Sequence, residues 1–100
     1  PSLIVNPDGE VWINGSGTSA LAKGGTGDVL TGLVVSFLAQ DVAASGSATT
    51  AQAIAASCVA CFLHGRAGEI MAAEHGERGV IASDLLKAMG RSMVELEAAR

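Results

Sequence analysis

Lys23-Gly24-Gly25-Thr26-Gly27-Asp28-Val29-Leu30 is the stretch from which the rest of the chain is read. Glycines let the main chain adopt bends that a Cβ would block and let a ligand come close to it. Immediately after them the apolar residues fall at 29, 33 and 37 and at 30, 34 and 38, one broad stripe at helical spacing. The pattern predicts a helix opening near Gly27 or Asp28. The first N–H groups of a helix have no partner inside it, so they attract an anion, and a phosphate or transferring phosphoryl group suits them. Asp28 sits beside these groups, where a carboxylate can take a proton from a substrate hydroxyl. The stretch is not a Walker A loop, because its Lys precedes the glycines and no G-K-[ST] follows. It is not G-x-G-x-x-G either, since Leu30 holds the last glycine's place. An ordinary helix start with Asp in its first turn remains the alternative reading of these residues.

Working outward, Leu3-Ile4-Val5 and Val11-Trp12-Ile13 are short β-type runs around Asn6-Pro7-Asp8-Gly9, a strong turn signal. Residues 2 to 14 are read as a hairpin. Two strands do not hold themselves together in water, so the hairpin needs a sheet whose other strands lie elsewhere. Residues 14 to about 25 form a Gly-rich loop and Ala43 to Thr49 a second one. Thr49 or Thr50 can cap the next helix, expected over 51–75. It is apolar nearly all round through Leu63, which predicts burial of that part. Gly65 and Gly68 suggest a bend or a close helix contact, and Gly32 a close neighbour of its own. Gly76-Glu77-Arg78-Gly79 breaks the helix. The last helix opens at Ala82 or Ser83, with Asp84 in its first turn. Leu85, Leu86, Met89, Met93 and Leu96 form its apolar stripe, and Gly90 is a point for a kink.

The chain has 100 residues, enough for one small domain, with 49 % hydrophobic and 3 % aromatic residues and a net charge of -4. Basic residues are few and scattered, which speaks against nucleic acid and anionic membranes as partners. The most apolar run, Ala51 to Leu63, is too short to span a bilayer. Without a signal-peptide pattern at Pro1-Ser2-Leu3, the expectation is a cytoplasmic protein, and without an initiator Met, a piece of a longer one. Cys58 and Cys61 form a C-x-x-C in an Ala/Val-rich helical run and are read as small apolar fillers. No metal site is assigned, since a structural zinc needs four ligands.

The run Ala22-Lys23-Gly24-Gly25-Thr26-Gly27-Asp28-Val29-Leu30-Thr31-Gly32 resembles the ribokinase-like superfamily, and within it the ADP/ATP-dependent NAD(P)H-hydrate dehydratases. Leu63-His64-Gly65-Arg66-Ala67-Gly68-Glu69, Ile81-Ala82-Ser83-Asp84-Leu85-Leu86 and the turn Asp8 to Asn14 look like further segments of that family, in the right order. The resemblance implies an α/β fold: residues 1–100 as the C-terminal portion of a single ribokinase-like three-layer α/β/α domain, here a hairpin followed by three mainly apolar helices. It implies nucleotide-dependent dehydration of hydrated NADH and NADPH, a metabolite repair, through phosphorylation of the ring hydroxyl and loss of phosphate. The cofactors implied are ADP or ATP, with Mg2+ by analogy with phosphoryl transfer. Asp28 would face the NAD(P)H hydrate as base. Gly24, Gly25, Thr26 and Gly27 would hold the nucleotide and the transferring phosphoryl group.

Lys23 is a further candidate for phosphate, or an exposed loop lysine. His64 is a candidate base, or a hydrogen-bonded histidine in a buried helix. Arg66, Glu69, Glu77 and Arg78 read as surface or packing residues, with an Arg66–Glu69 pair at helical spacing. Two other functions stay open: a small-molecule kinase of the same fold for a sugar or vitamin precursor, and a non-catalytic fragment. The unpartnered hairpin and Ala-rich helix also lead us to expect a homo-oligomer.

Overall fold

Strand β1 (Ser2–Val5) pairs antiparallel with β2 (Val11–Asn14), Leu3 opposite Ile13 and Ile4 opposite Trp12. This computed structural model describes residues 1–99. The turn closes as its sequence demands: Gly9 takes φ 88°, its N–H donates to the Asn6 carbonyl at 3.0 Å, and the Asn6 side chain accepts from the Glu10 N–H at 2.9 Å. Leu3, Val5, Val11 and Ile13 share one face and are exposed, while Ile4 and Trp12 line a cleft with Cys58 and Phe62 of the long helix. A short 3-10 turn (Ser19–Leu21) then leads into helices α1 (Thr26–Ser45), α2 (Thr50–His75) and α3 (Ala82–Ala98). The expected hairpin and three helices are therefore present.

Their ends follow from local chemistry. Helix α1 begins at Thr26, a residue or two before the expected start, and runs through Ala43, Ala44 and Ser45, expected to be loop. Alanine is the best helix former, so the helix continues until Gly46, left-handed at φ 74°, stops it with its N–H on the Val42 carbonyl. A reciprocal cap starts α2: the Gln52 N–H donates to Thr49 Oγ1 at 3.2 Å, and the Thr49 N–H to Gln52 Oε1 at 2.7 Å. At 26 residues α2 rises about 39 Å, close to the molecule's 40 Å long axis.

The core forms where α2 crosses α3 and the loop ahead of α1. Leu63, Ala67, Ile70 and Met71 of α2 meet Leu85, Ala88 and Met89 of α3, together with Ala20 and Val80. Burial on α2 thus centres on Ala60–Met71, not on the more apolar segment before Leu63. Apolar character marks what can be buried; the crossing point decides what is. For the same reason Leu86 is exposed, although Leu85, Met89, Met93 and Leu96 pack on the core as expected. Val29, Leu33 and Phe37 of α1 also pack against it, but only half-buried. By length and composition α1 is apolar enough to cross a membrane, a property that the sequence reading looked for in Ala51–Leu63.

Gly65 and Gly68 are close-approach sites, but for the loop, not for a helix. A Cβ on Gly65 would lie 2.7 Å from the Ser16 carbonyl carbon and 2.8 Å from its oxygen, and one on Gly68 2.7 Å from Leu21 Cδ2. Gly32 has no such neighbour, and α3 runs through Gly90 without a break.

An ionic relay ties the same loop to two helices. Glu69 Oε1 accepts the Gly17 N–H at 2.9 Å, and its Oε2 pairs with Arg66 at 3.0 Å. Arg66 also grips both oxygens of Glu95 on α3, at 2.7 and 3.2 Å. The Gly17 N–H holds the Glu69 carboxyl below its ordinary range, helped by Arg66, and Arg66 does the same to Glu95. Lowered folded-state values mean stability that is complete above the unfolded carboxyl value, about 4.3, and lost as pH falls through the folded values. Glu69→Gln is therefore expected to flatten the fall in stability below about pH 4.3, measured by thermal unfolding across pH.

Candidate functional site

The glycine stretch folds as a tight turn feeding α1. The Thr26 N–H reaches the Lys23 carbonyl at 3.4 Å, and Gly25, third in the turn, has φ 91° and ψ −13°, the left-handed geometry that a type II turn reserves for glycine. A Cβ there would also stand 3.0 Å from Ala82 Cβ, so α3 begins against the turn.

Among the described residues, the main-chain N–H groups of Gly24, Gly25, Gly27 and Asp28 have no partner within the chain, and no side chain caps α1. Gly24, Gly25, Gly27 and Asp28 are all exposed. Four open donors around a helix start can take an anion.

Asp28 and Asp84 occupy the same position, third in α1 and third in α3. Asp84 spends its carboxylate on the chain: it accepts the Ile81 N–H at 2.9 Å and lies 3.5 Å from Lys87 Nζ, and its carboxyl is held below the ordinary range chiefly by that N–H. Asp28 has neither a side-chain hydrogen bond nor an ion pair among the described residues. The two helix starts look alike in sequence; one carboxylate closes its helix and the other is left to solvent.

The remaining candidates turn inward. The Thr26 side chain is buried, its hydroxyl shared between the Leu21 carbonyl at 2.7 Å and the Lys23 carbonyl at 3.0 Å, so it braces the turn and offers a ligand nothing. Lys23 Nζ donates to the carbonyls of Glu77 at 3.0 Å, Arg78 at 3.3 Å and Val80 at 3.0 Å. Its three donors are all engaged within the chain, which leaves none for a phosphate in this structure. Lys23→Met is expected to lower stability by about 1 kcal/mol and to leave nucleotide affinity within about twofold; denaturant titration and calorimetry on the full-length protein check it. His64 is buried, with Nε2 2.8 Å from the Thr26 carbonyl oxygen. That places it behind the turn as a support, not in front of it as a base. The expected Arg66–Glu69 pair is present; the bond from Gly17 to Glu69 spans 52 positions, so no local signal marks it. The thiols are free, and burial, then the neighbouring Cys58, pushes the Cys61 thiol up and keeps it protonated.

Comparison with known proteins fits this geometry. Residues 1–91 match the family model described as NAD(P)H-hydrate dehydratase. The chain is 35 % identical over 85 residues to the bifunctional NAD(P)H-hydrate repair enzyme of Moorella thermoacetica, covering 85 % of this chain and 14 % of that protein. It is 41 % identical over 88 residues to the enzyme of the same name from Pyrobaculum aerophilum, covering 88 % and 16 %. Against the ADP-dependent (S)-NAD(P)H-hydrate dehydratase of Bacillus subtilis it is 34 % identical over 84 residues, covering 84 % and 27 %. The chain thus spans about a quarter or less of the length of these relatives. No solved structure matches it. With the match running from the hairpin through the glycine turn into α3, the chain belongs to the NAD(P)H-hydrate dehydratase family, of ribokinase-like α/β architecture.

Proposed function

We propose that this chain is the C-terminal, catalytic-loop portion of a single ribokinase-like domain that returns hydrated NADH and NADPH to NADH and NADPH. The observation that carries the proposal is the unspent Asp28 carboxylate beside the open amides of Gly24, Gly25 and Gly27. The nucleotide's terminal phosphoryl group passes to the hydroxyl on the reduced ring. Asp28 takes that hydroxyl's proton, and the amides stabilise the charge on the phosphoryl oxygens. Phosphate then leaves with the former hydroxyl oxygen, and loss of a ring proton restores the double bond.

The name of the Bacillus relative supports ADP as the donor; ATP is the other nucleotide of the proposal. Among the described residues no three His, Cys, Asp or Glu gather into a cation site. In this proposal a Mg2+ ion would be held by the nucleotide's phosphates, with the Asp28 carboxylate available to it. The exposed face of Leu3, Val5, Val11 and Ile13 fits a hairpin that continues a sheet in a longer protein. Self-association and a cytoplasmic setting complete the proposal, the former to be read by sedimentation.

The deciding experiment supplies hydrated NADH with ADP or ATP to the full-length protein and follows recovery of the dihydronicotinamide absorbance. Stoichiometric NADH and free phosphate are expected. A stable phosphorylated product from a panel of hydroxylated metabolites, with no NADH formed, would replace this reading with that of a small-molecule kinase.

A further inference from the structure

We propose that His64 is a positioning residue for this reaction: it holds the peptide plane between Thr26 and Gly27, and so aims the Gly27 N–H. The Thr26 carbonyl and the Gly27 N–H belong to one planar, trans peptide unit and point in opposite directions. A carbonyl only accepts, so the buried ring must carry its proton on Nε2 and donate it, at 2.8 Å. Fixing the oxygen fixes the N–H on the other side of the plane.

Besides the bond that α1 itself makes to this carbonyl from the Leu30 N–H, this peptide unit takes one hold from outside the helix, that of His64. It pivots on Gly27, whose torsions are the freest of any residue, and Gly25 just before it is already left-handed at φ 91°. The Thr26 hydroxyl anchors the turn from the opposite side, on Leu21 and Lys23. The imidazole is buried, and α2 is held beside it, where Gly65 has the Ser16 backbone pressed against it and Ser16 Oγ donates to the Phe62 carbonyl at 3.0 Å. Donation to a carbonyl also polarises the amide it belongs to, which makes the Gly27 N–H a better donor to a phosphoryl oxygen.

The inference rests on the proposed phosphoryl transfer, so its test has one readout that does not. In full-length protein labelled with 15N-glycine, His64→Leu should move the Gly27 amide resonance upfield, and His64→Gln, whose amide can still donate to Thr26, should restore it. In the dehydration assay His64→Leu should lower kcat about ten- to a hundredfold, less than the 10²–10³ typical of deleting an oxyanion donor. The nucleotide KM should stay within about threefold, the pattern of an interaction made in the transition state, and His64→Gln should recover most of kcat. If His64→Leu does not fold, His64→Asn, whose shorter amide falls short of Thr26, takes its place. A Gly27 resonance and kcat unchanged in His64→Leu would overturn the proposal, as would a folded His64→Gln as impaired as His64→Leu. Should the wild-type protein form no NADH, the dehydratase reading fails while the Gly27 resonance still decides the role of His64.

Discussion

Asp28→Ala in the full-length protein is expected to lower kcat of the proposed dehydration by about 10³-fold, within the range for removal of a general base, with nucleotide affinity changed only a few-fold. Asp28→Asn behaves alike, since an amide keeps the shape and loses the basicity. The size of the loss separates two accounts. If Asp28 served only the dipole of α1, its removal would cost about 0.3–1 kcal/mol of stability and little activity. A 10³-fold fall in rate corresponds to about 4 kcal/mol, too much for that role. Asp84 is the internal control. It holds the equivalent place on α3 and already caps it through the Ile81 N–H, so Asp84→Ala should destabilise by about 1 kcal/mol and leave turnover of the folded enzyme nearly intact. Steady-state kinetics with thermal unfolding on the same samples reads both. An active Asp28→Ala protein would remove the basis for the mechanism.

The second large effect is on folding. Gly65→Ala adds one methyl group where the Ser16 carbonyl carbon and oxygen would stand at 2.7 and 2.8 Å. The neighbour includes backbone, its N–H tied to Asn14 Oδ1 and its side-chain hydroxyl to the Phe62 carbonyl, so it cannot turn aside as a side-chain tip would. An overpacking loss of about 3 kcal/mol is expected, seen as a lowered midpoint in denaturant unfolding. Gly68→Ala meets the Leu21 side chain instead, which can change rotamer, so about 1–2 kcal/mol is expected there. Equal losses at the two positions would show that the loop yields, and that the tight apposition is not a constraint on the fold.

Much of the architecture was legible because the signals were local. The Asn-Pro-Asp-Gly turn, a threonine cap at Thr49 or Thr50 and the breaker Gly76 each act within a few residues, and the hairpin and the ends of α2 lie where those signals put them. What escaped was set at longer range. Apolar residues through Leu63 predicted burial about two turns too early on α2, because the position of α3 decides which segment is covered. Lys23 invited a phosphate role beside the glycines, yet the carbonyls that claim it are more than fifty residues further on.

By itself the sequence determined that a glycine turn opens a helix at residues 24–28 and that a carboxylate stands in its first turn, because both follow from torsional freedom and helix ends. The Asp84 carboxylate is consumed locally, by the Ile81 N–H three residues before it, but only the tertiary structure decided that Lys23 is claimed by the carbonyls of Glu77, Arg78 and Val80 and that His64 reaches the turn from α2. Those choices depend on which donors and acceptors meet across the fold. Packing sets that geometry, and spacing along the chain does not record it.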